Sequence, residues 1–428
     1  MKAAFYTLGC KSNQYDTEII RGDFLRRGFE IGDFSERCDV YIINTCSVTA
    51  MSDRKSRQII SRARALSPGA VICVTGCYAQ LSPEKVASIE GVDVVSGTAD
   101  RHCVLPLVLQ FMEQRRKVVS VRDVMKERTF ESSLSEGFAG HTRANIKIED
   151  GCDRFCTYCI IPYARGPVRS KDIDELIREA RGLVANGYKE LVLTGIHLAS
   201  YGKDTGRSLI EALELLDGID GDFRLRLGSL EPTLIEPAFI GRAARLRHLC
   251  PHFHIALQSG CDRTLKSMGR RYTTDIFAGA CAAVRAGFPG AAITTDVIVG
   301  FPGESDADFA ASRSFVRDIG FLRVHVFPYS RRPGTKAADM DGQLPSEIKQ
   351  ERVRLMIQAA NEGRARFLSA VLGSEQQVLF EEVRDGYAEG LTPSYITVRV
   401  TGGEELRGTV RTVRLIGDKG DHVAGELI

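Results

Sequence analysis

The sequence predicts an α/β protein made of an amino-terminal parallel-sheet domain, a central partial barrel of six β/α units and a small carboxyl-terminal all-β barrel. In residues 1–125, apolar strand candidates alternate with helical patterns, as in parallel sheets that are covered on both faces. Residues 140–370 continue the alternation through six further strand candidates, which favours a partial (β/α) barrel. Residues 371–428 change to short alternating stretches separated by Gly and Asp, which are typical of a small β-barrel.

The bulk composition describes a globular chain without a strong overall charge. Its 428 residues exceed one ordinary domain, and 43% hydrophobic with 26% charged residues provide an ample core. A net charge of +2 does not by itself indicate a nucleic-acid-binding protein, so any basic surface must be confined to one part of the molecule. The first residues lack the apolar region of a secretory signal, and no apolar run is long enough to cross a bilayer. We therefore expect a cytoplasmic protein that contacts no membrane.

A cysteine follows each of the first three strand candidates. The strands are residues 3–7, 40–44 and 71–75, and the helices between them are residues 15–27, 52–66 and a capped helix that starts at Ser82. Cys10, Cys46 and Cys77 come within a few residues of the strand ends. Because the carboxyl ends of parallel strands meet at one edge of a sheet, the fold would bring these thiols together. We interpret them as a three-thiolate cluster site, and the alternative is three buried structural cysteines.

The central part predicts a site at one end of its barrel. Its strand candidates are residues 145–148, 191–194, 223–227, 253–257, 293–299 and 322–327. In the helix candidate 172–185, apolar residues recur at i, i+3, i+4 and i+7, a stripe that indicates core packing alone. Barrels of this type carry their functional residues in loops at the carboxyl ends of the strands, and we expect the same here.

The run Gly-Cys-Asp-Arg-Phe-Cys-Thr-Tyr-Cys at residues 151–159 is the most specific chemical signal in the chain. Cys152, Cys156 and Cys159 are close enough to hold three irons of a [4Fe–4S] cluster. An electron carrier usually gives its cluster four thiolates, so three thiolates leave one iron open to a small molecule. The alternatives are a structural zinc knuckle and chance clustering.

The remaining cysteines give weaker signals. Cys73 lies inside an apolar strand and Cys281 inside a helical run of small residues, which is typical of buried free cysteines that act as small hydrophobes. The others have no partner at ligand spacing and stay unassigned; they are Cys38, Cys103, Cys250 and Cys261.

Two stretches complete the chain. Residues 125–143 are polar and look like a linker. In the last part, the alternating stretches are residues 378–380, 395–400, 408–413 and 422–428. Small β-barrels of this kind often bind oligonucleotides, although many do not.

Together, the triplet after the first barrel strand and the preceding cysteine trio resemble the radical S-adenosylmethionine methylthiotransferases. The likeness covers essentially the whole chain, and further matching stretches are residues 163–170, 193–196, 258–260 and 296–304. It implies a first domain for an auxiliary cluster, a radical S-adenosylmethionine barrel and a terminal TRAM-like barrel.

The segment Thr-Leu-Gly-Cys-Lys-Ser-Asn-Gln-Tyr-Asp-Thr-Glu at residues 7–18 most resembles the branch that methylthiolates N6-threonylcarbamoyladenosine in tRNA. Gly-Cys-Gln would be expected in the isopentenyladenosine branch and Gly-Cys-Pro in the ribosomal-protein branch. Lys11 fits neither. Isopentenyladenosine tRNA and a ribosomal protein remain the alternative substrates.

The resemblance also implies the cofactors, which are two [4Fe–4S] clusters and S-adenosylmethionine. Cys152, Cys156 and Cys159 would hold the cluster that binds and cleaves S-adenosylmethionine. The trio at Cys10, Cys46 and Cys77 would hold the auxiliary cluster, whose open iron takes the transferred sulfur. One S-adenosylmethionine would give the methyl group and another the radical that removes hydrogen from C2 of the adenine. The cofactors carry this chemistry, so no catalytic acid or base is expected. An external electron donor is required, and the sulfur source stays unspecified.

Several residues at strand ends are candidates for contacts with S-adenosylmethionine. In the family's arrangement, the end of the second strand lies near the methionine moiety, and the ends of the fifth and sixth strands lie near the adenine. The candidates are Tyr158, Thr194, Gly195, Val299, Gly300, Val326 and Phe327. Tyr158 has the alternative of a structural aromatic residue, and Gly300 that of a turn before Pro302.

RNA recognition would combine the terminal barrel with basic segments. The candidates are Arg54, Lys55, Arg57, Arg62 and Arg64 on one helix, and Arg331 and Arg332 after the sixth barrel strand. Rival functions are a non-catalytic iron–sulfur electron carrier or assembly scaffold, and an RNA-binding module whose clusters are structural.

Overall fold

The computed structural model describes residues 1–135, 137 and 142–428. It confirms the predicted fold class, with parallel sheets in the first two parts and a closed β-barrel in the last. The predicted linker at 125–143 falls partly outside the described residues. No helix in the described ranges is both long enough and apolar enough to span a membrane.

The amino-terminal part is one six-stranded parallel sheet in the order β2-β1-β3-β4-β5-β6. The strands are β1 (Lys2–Thr7), β2 (Glu30–Gly32), β3 (Val40–Thr45), β4 (Val71–Gly76), β5 (Val94–Ser96) and β6 (Val118–Ser120). The helices are α1 (Lys11–Arg26), α2 (Ala50–Leu66), α3 (Cys77–Leu81), α4 (Pro83–Ala87) and α5 (Val104–Gln114). β3 and β4 are buried throughout because α1 and α5 cover one face of the sheet and α2 to α4 the other.

One predicted detail of this part is wrong. Ser82 precedes α4, but its side chain makes no capping hydrogen bond. The short helix α3 ends immediately before Ser82, and the cap position takes φ −146° and ψ 57°, which differs from the extended backbone of a capping serine.

The central part is a partial barrel of six main strands, each four or more residues long, with three two-residue strands beside them. The strands are β7 (Arg143–Lys147), β8 (Glu149–Asp150), β9 (Arg169–Ser170), β10 (Glu190–Thr194), β11 (Arg224–Leu227), β12 (Ser229–Leu230), β13 (His252–Ile255), β14 (Ala292–Val299) and β15 (Arg323–Pro328). The helices are α6 (Ile161–Arg165), α7 (Ile173–Ala185), α8 (Leu209–Asp217), α9 (Pro237–Ala243), α10 (Asp262–Ser267), α11 (Thr274–Gly287), α12 (Asp306–Ile319) and α13 (Ser346–Ser369).

Parallel pairing joins seven of these strands into two sheets, β11-β10-β7 and β12-β13-β14-β15, which are linked by a bridge between Leu225 and Leu249, while β8 and β9 form a separate antiparallel pair. In the described part of the chain, no pairing joins β15 to β7, so the barrel is open on that side. Alternate residues face the helices or the interior: Phe253 packs in the core, whereas its neighbour His252 stacks on the Tyr395 ring inside. The barrel interior is therefore polar at this level.

The carboxyl-terminal part is a closed five-stranded barrel, consistent with a TRAM-like domain. The strands are β16 (Glu375–Arg384), β17 (Tyr387–Leu391), β18 (Thr397–Thr401), β19 (Val410–Asp418) and β20 (Val423–Leu427), in the order β16-β17-β18-β20-β19. β17 was not predicted because Glu389 and Gly390 interrupt its apolar alternation. Its buried Ala388 nevertheless packs in the barrel core with Val398 and Val413.

A buried ion network fixes the first sheet against the open side of the barrel. Asp16 on α1 accepts from Lys147 of β7 at 2.5 Å, from Arg165 at 2.6 Å and from Arg101 at 3.1 Å. Asp150 completes the group by accepting from Lys147 at 2.8 Å. Because each charged group in this network has a partner of opposite charge, the free-energy cost of burying these groups at the interface is offset.

The segment predicted as a linker packs in the same interface where it is described. The Ser133 carbonyl accepts from the Lys171 ammonium at 2.7 Å and from the Tyr15 hydroxyl at 3.1 Å. Glu131 pairs with the buried Arg101. The polar groups of this segment therefore form buried hydrogen bonds and ion pairs between the first sheet and the barrel.

The terminal barrel docks beneath the central one through a carboxylate that three arginines surround. Glu190 at the start of β10 accepts from Arg226 at 2.7 and 2.8 Å and from Arg224 at 2.5 Å, and Arg143 lies 3.5 Å away. Arg226 also donates to the Pro393 carbonyl at 2.9 Å, which ties the turn after β17 to the barrel.

Replacing Glu190 with glutamine is expected to destabilise the protein by about 3–5 kcal/mol, because it leaves buried guanidiniums without a counter-charge. Burial alone would raise the pKa of Glu190, but the neighbouring guanidiniums, above all that of Arg226, lower it. The stabilisation by the ionised Glu190 is therefore fully present above a pH of about 4.3, which is the pKa of a glutamate in the unfolded chain. It is lost as the pH falls from there through the lower pKa that Glu190 has in the folded protein. Urea unfolding midpoints at pH 7 and in acid measure this loss. Glu214→Gln, which breaks an exposed pair with Arg242, is the control and should change little.

Candidate functional site

The CxxxCxxC loop occupies residues 151–159, between β8 and α6, at the carboxyl end of the barrel. It starts with a sharp turn at Gly151, where φ is +88° and an added Cβ would lie 1.9 Å from the Pro167 carbonyl oxygen. Phe155 takes a left-handed φ of 47°, so the loop folds back between its first two cysteines. This backbone turns all three thiols toward one cavity at the top of the barrel.

The thiols of the loop are largely withdrawn from water. Cys152 and Cys156 are buried, and Cys159 is partly buried. Burial raises the pKa of Cys152 and of Cys159 to about 12. Arg270 donates from Nη1 to the Cys156 sulfur at 3.3 Å. Metal binding must supply the charge that keeps such thiols deprotonated, and Arg270 adds one cation beside them.

A carboxylate with three cationic or protonatable neighbours lies across the cavity. Glu231 pairs with Arg154, accepts from His197 Nε2 at 3.2 Å, and lies 3.6 Å from Arg270. Although burial opposes it, His197 and the two guanidiniums lower the pKa of Glu231 to about 2. This carboxylate therefore stays ionised and holds Arg270 near the thiols.

Glu149 offers an unused polar atom next to the same cavity. Its Oε2 accepts from the His197 backbone N–H at 2.7 Å. Its Oε1 is buried and has no hydrogen-bond partner among the described residues. A Cβ at position 195 would lie 2.7 Å from Glu149 Oε2, so the glycine at this position makes room for the carboxyl group. An orphaned oxygen beside three thiols fits a ligand that brings its own N–H or O–H groups.

The predicted cofactor residues are distributed unevenly around this cavity. Tyr158 lines it, and Gly195 adjoins it through Glu149 and the lining residue Ile196. Thr194 is buried at the end of β10. The other four lie outside the lining: Val299 and Val326 pack in the barrel core, Phe327 is exposed, and Gly300 packs on Lys349 while its N–H donates to Glu304. Their contacts with S-adenosylmethionine remain predictions.

The second trio gathers at one edge of the amino-terminal sheet, around Asn13. The Cys10 and Cys77 sulfurs lie 3.9 and 4.0 Å from Asn13 Oδ1. A Cβ on Gly9 would lie 3.2 Å from the Cys46 sulfur, which places this thiol beside the Cys10 loop. Three cysteines that are far apart in sequence therefore meet where β1, β3 and β4 end.

One arginine of the barrel reaches this trio. Arg165, at the end of α6, donates to Asn13 Oδ1 and to Asp16 at 2.6 Å. Burial raises the pKa of Cys77 to about 12, with the Arg165 charge opposing the rise. The same short helix follows the CxxxCxxC loop directly, so α6 connects the two sets of thiols.

The donor chemistry of both sets suits iron–sulfur clusters. Each has three soft thiol ligands and one buried arginine, which compensates the negative charge of a thiolate-bound cluster. In the ranges that the structure describes, no three His, Cys, Asp or Glu side chains have the arrangement of a single-ion site.

The other cysteines have structural surroundings. Cys73 and Cys281 are fully buried, as predicted for small hydrophobes. Cys103 donates to the Asp100 carbonyl at 2.9 Å, and Cys261 to Asp308 at 3.3 Å. Cys38 and Cys250 are buried.

Four residues that shape the two sites were not singled out from the sequence: Asn13, Arg165, Glu231 and Arg270. Asn13 and Arg165 lie inside the matching stretches 7–18 and 163–170, so these motifs carried a signal for them. Glu231 and Arg270 lie outside every quoted motif, and only the folded barrel brings them to the thiols.

Two family descriptions match the chain. Residues 2–97 match the uncharacterized protein family UPF0004, and residues 146–316 match the radical SAM superfamily. Among solved structures, the radical S-adenosylmethionine methyltransferase TsrM from Kitasatospora setae has a TM-score of 0.56 at 15% identity and covers 79% of this chain and 77% of its own. At this identity the likeness shows the fold alone.

Full-length relatives are more specific. The threonylcarbamoyladenosine tRNA methylthiotransferase MtaB of Bacillus subtilis is 42% identical, over 96% of this chain and 93% of its own length. MtaB of Aquifex aeolicus is 38% identical, over 96% of this chain and its full length. The tRNA-2-methylthio-N(6)-dimethylallyladenosine synthase of Pelotomaculum thermopropionicum is 33% identical, over 100% of this chain and 97% of its own. The chain therefore belongs to the radical S-adenosylmethionine methylthiotransferase family, on the branch of the relatives named MtaB.

Proposed function

We propose that this enzyme converts N6-threonylcarbamoyladenosine in tRNA to its 2-methylthio derivative. The observation that carries the proposal is the second set of three thiols, which converges on Asn13 beside the barrel. A second cluster held by three thiolates would have an open iron, which suits the delivery of sulfur. The MtaB relatives support the threonylcarbamoyl substrate, and isopentenyladenosine tRNA is the alternative.

Membership of the radical S-adenosylmethionine superfamily implies one [4Fe–4S] cluster and S-adenosylmethionine. Cys152, Cys156 and Cys159 would hold this cluster, and Cys10, Cys46 and Cys77 a second one. When bound, these groups would supply the radical and the sulfur. The chain's own contribution is to bind and orient them and to exclude water.

Individual side chains have distinct parts in this arrangement. Arg270 would offset the charge of the first cluster, and Arg165 that of the second. Glu231 keeps Arg270 in place, and Glu149 leaves an oxygen for a polar group of S-adenosylmethionine. None of these residues needs to exchange a proton with the substrate.

The proposal also includes the following assignments. The partners are a tRNA and an external electron donor, and the sulfur source is open. Residues 1–125 would carry the auxiliary cluster, 140–370 the radical chemistry and 371–428 RNA contacts. A tRNA substrate favours a cytoplasmic location.

The exposed basic residues of α2 are candidates for phosphate contacts. Arg54, Lys55, Arg57 and Arg62 are exposed on this helix, and Arg331 is exposed after β15. Two others from the predicted set have internal partners instead. Arg64 binds the Pro68 and Gly91 carbonyls and Asp93, while Arg332 binds Ser47 and Asp53 beside Cys46.

We expect the triple variant Arg54→Gln, Lys55→Gln, Arg57→Gln to bind tRNA more weakly and with a flatter salt dependence. Each lost phosphate contact should reduce the slope of log K against log salt by about one. Electrophoretic or fluorescence titrations at several salt concentrations measure this slope. The exposed Lys85 on α4 provides the control Lys85→Gln. An unchanged slope in the triple variant would contradict an RNA role for α2.

Nucleoside mass spectrometry of tRNA from a deletion strain tests the substrate. The methylthio group should disappear from threonylcarbamoyladenosine and stay on isopentenyladenosine, and the wild-type gene should restore it. Loss from isopentenyladenosine instead would assign the alternative substrate. Retention on both, in a strain without a paralogue, would overturn the proposal.

A further inference from the structure

A second cavity lies inside the barrel, at the opposite end from the CxxxCxxC loop. Its volume is about 360 Å³, which is within the range of small-ligand sites. Lys11 of α1, Asn145 of β7, Val192 of β10 and Tyr395 of the terminal barrel line it. All three parts of the chain therefore contribute to one cavity, and Lys11 is the residue directly after Cys10.

The cations around this cavity have different degrees of pairing. Arg143 pairs with Glu381 and lies 3.5 Å from Glu190, and Arg407 pairs with Glu404 at 3.3 Å. No described residue gives the Lys11 ammonium a hydrogen bond or an ion pair within 4.0 Å. A partly buried ammonium that lines a cavity without a counter-ion is costly, and an anionic ligand would relieve that cost.

The surroundings of Lys11 favour an anion over a cation or an apolar group. Glu381 and Glu382 also line the cavity, and Glu381 pairs with Arg143. Arg224 and Arg226 pair with Glu190 just below it. The cavity lining thus carries three cations, Lys11, Arg143 and Arg407, against two carboxylates, next to the Tyr395 ring.

The two cavities are close enough for the proposed substrate to reach both. Val192 of β10 lines the lower cavity, and Ile196, two residues past the end of β10, lines the cavity of the three thiols. Four residues of fully extended chain span at most about 14 Å. A threonylcarbamoyl group is about as long as two extended residues, roughly 7 Å, and the adenine ring adds to this length. A base that places C2 near the upper cavity can therefore extend its N6 substituent toward Lys11.

We propose that Lys11 binds the threonyl carboxylate of the substrate and thereby selects threonylcarbamoyladenosine over an apolar N6 substituent. The inference rests on the proposed function and deepens it. An isopentenyl group would leave the ammonium buried without a partner, and sites built for a polar group reject analogues that lack it.

The test compares two anticodon stem–loop RNAs, one with threonylcarbamoyladenosine and one with the threonyl carboxylate converted to a neutral methylamide. Equilibrium binding and KM are measured for the reconstituted wild-type enzyme and for Lys11→Gln, Lys11→Arg and the control Lys85→Gln. Wild type should bind the carboxylate RNA about 10- to 100-fold more tightly than the amide RNA, as expected for a charged hydrogen bond. Lys11→Gln should lose this preference, Lys11→Arg should keep most of it, and Lys85→Gln all of it.

Two results would overturn the inference. Lys11→Gln could weaken both RNAs equally, which would assign Lys11 to a phosphate or to the fold, or it could keep the full preference for the carboxylate. Failure of the proposed function would be distinct: wild type would then leave the carboxylate RNA without a methylthio group, whatever its binding preference. Iron content and circular dichroism of each variant confirm that the comparison is between folded, loaded enzymes.

Discussion

The variant Cys156→Ala is expected to fold but to lose S-adenosylmethionine cleavage and methylthio insertion together. Cys156 is the thiol that Arg270 contacts, and its loop joins β8 to α6 without contributing to the hydrophobic cores of the sheets. Removing this thiol should prevent one cluster from binding and leave the barrel folded. Iron should fall from about eight to about four atoms per chain after anaerobic reconstitution. Formation of 5′-deoxyadenosine under reductant should drop to background.

Cys281→Ala is the matched control, since it removes a buried thiol of α11 that lies far from both sets. It should keep its iron and its activity. Two results would contradict the account of the first site. Unfolding of Cys156→Ala, seen as lost circular dichroism, would favour a module with structural clusters. Undiminished 5′-deoxyadenosine would show that the triplet does not hold the reactive cluster.

A complementary result is expected for Cys77→Ala, which should still cleave S-adenosylmethionine but no longer insert sulfur. Cys77 lies in the amino-terminal sheet beside Asn13, away from the cavity that Cys152, Cys156 and Cys159 line. Its loss should therefore affect only the second cluster. Iron should again fall to about four atoms per chain, and 5′-deoxyadenosine should form without methylthiolated RNA.

Cys73→Ala provides a close control because it lies four residues earlier, in β4, and packs in the hydrophobic core. It should retain both clusters. If Cys77→Ala kept eight irons and full methylthiolation, the second site would be wrong. If it lost both products, the two thiol sets would depend on each other, and separate roles would not hold.

The long strands could be predicted from sequence because their burial is continuous. β3, β4 and β14 combine apolar runs with flanking turns, and the predicted bounds agree with the observed ones to within a residue or two. The three-residue strands β2, β5 and β6 are too short to show any periodicity. They are strands only because a neighbouring strand offers them hydrogen bonds.

The site was predictable to the extent that its chemistry is local. The CxxxCxxC loop is visible as a run, and the second trio follows from the rule that parallel strands end together. The charges that surround the thiols come from distant positions: Arg270 reaches Cys156 across 114 residues, and Arg165 reaches Asn13 across 152. Such contacts depend on how α6 and the barrel pack, which no local pattern in the chain encodes.

The polar barrel interior shows the same limit. Arg226, His252 and Tyr395 have no shared motif, yet the Arg226 guanidinium and the His252 ring both stack on the Tyr395 ring beneath the barrel. The terminal barrel was predicted as a separate RNA-binding element, whereas its turn at Tyr395 also closes the lower end of the cavity beside Lys11. Its second role became visible only from the packing of the two barrels.

The most direct test of the central claim is a single anaerobic reaction of the reconstituted enzyme with a threonylcarbamoyladenosine stem–loop RNA, reductant, sulfide and S-adenosylmethionine. The RNA is digested and analysed by mass spectrometry, and 5′-deoxyadenosine is measured in the same sample. The account predicts 2-methylthio-N6-threonylcarbamoyladenosine with wild type, and 5′-deoxyadenosine without this product for Cys77→Ala. Abundant 5′-deoxyadenosine from wild type without any methylthiolated nucleoside would contradict it.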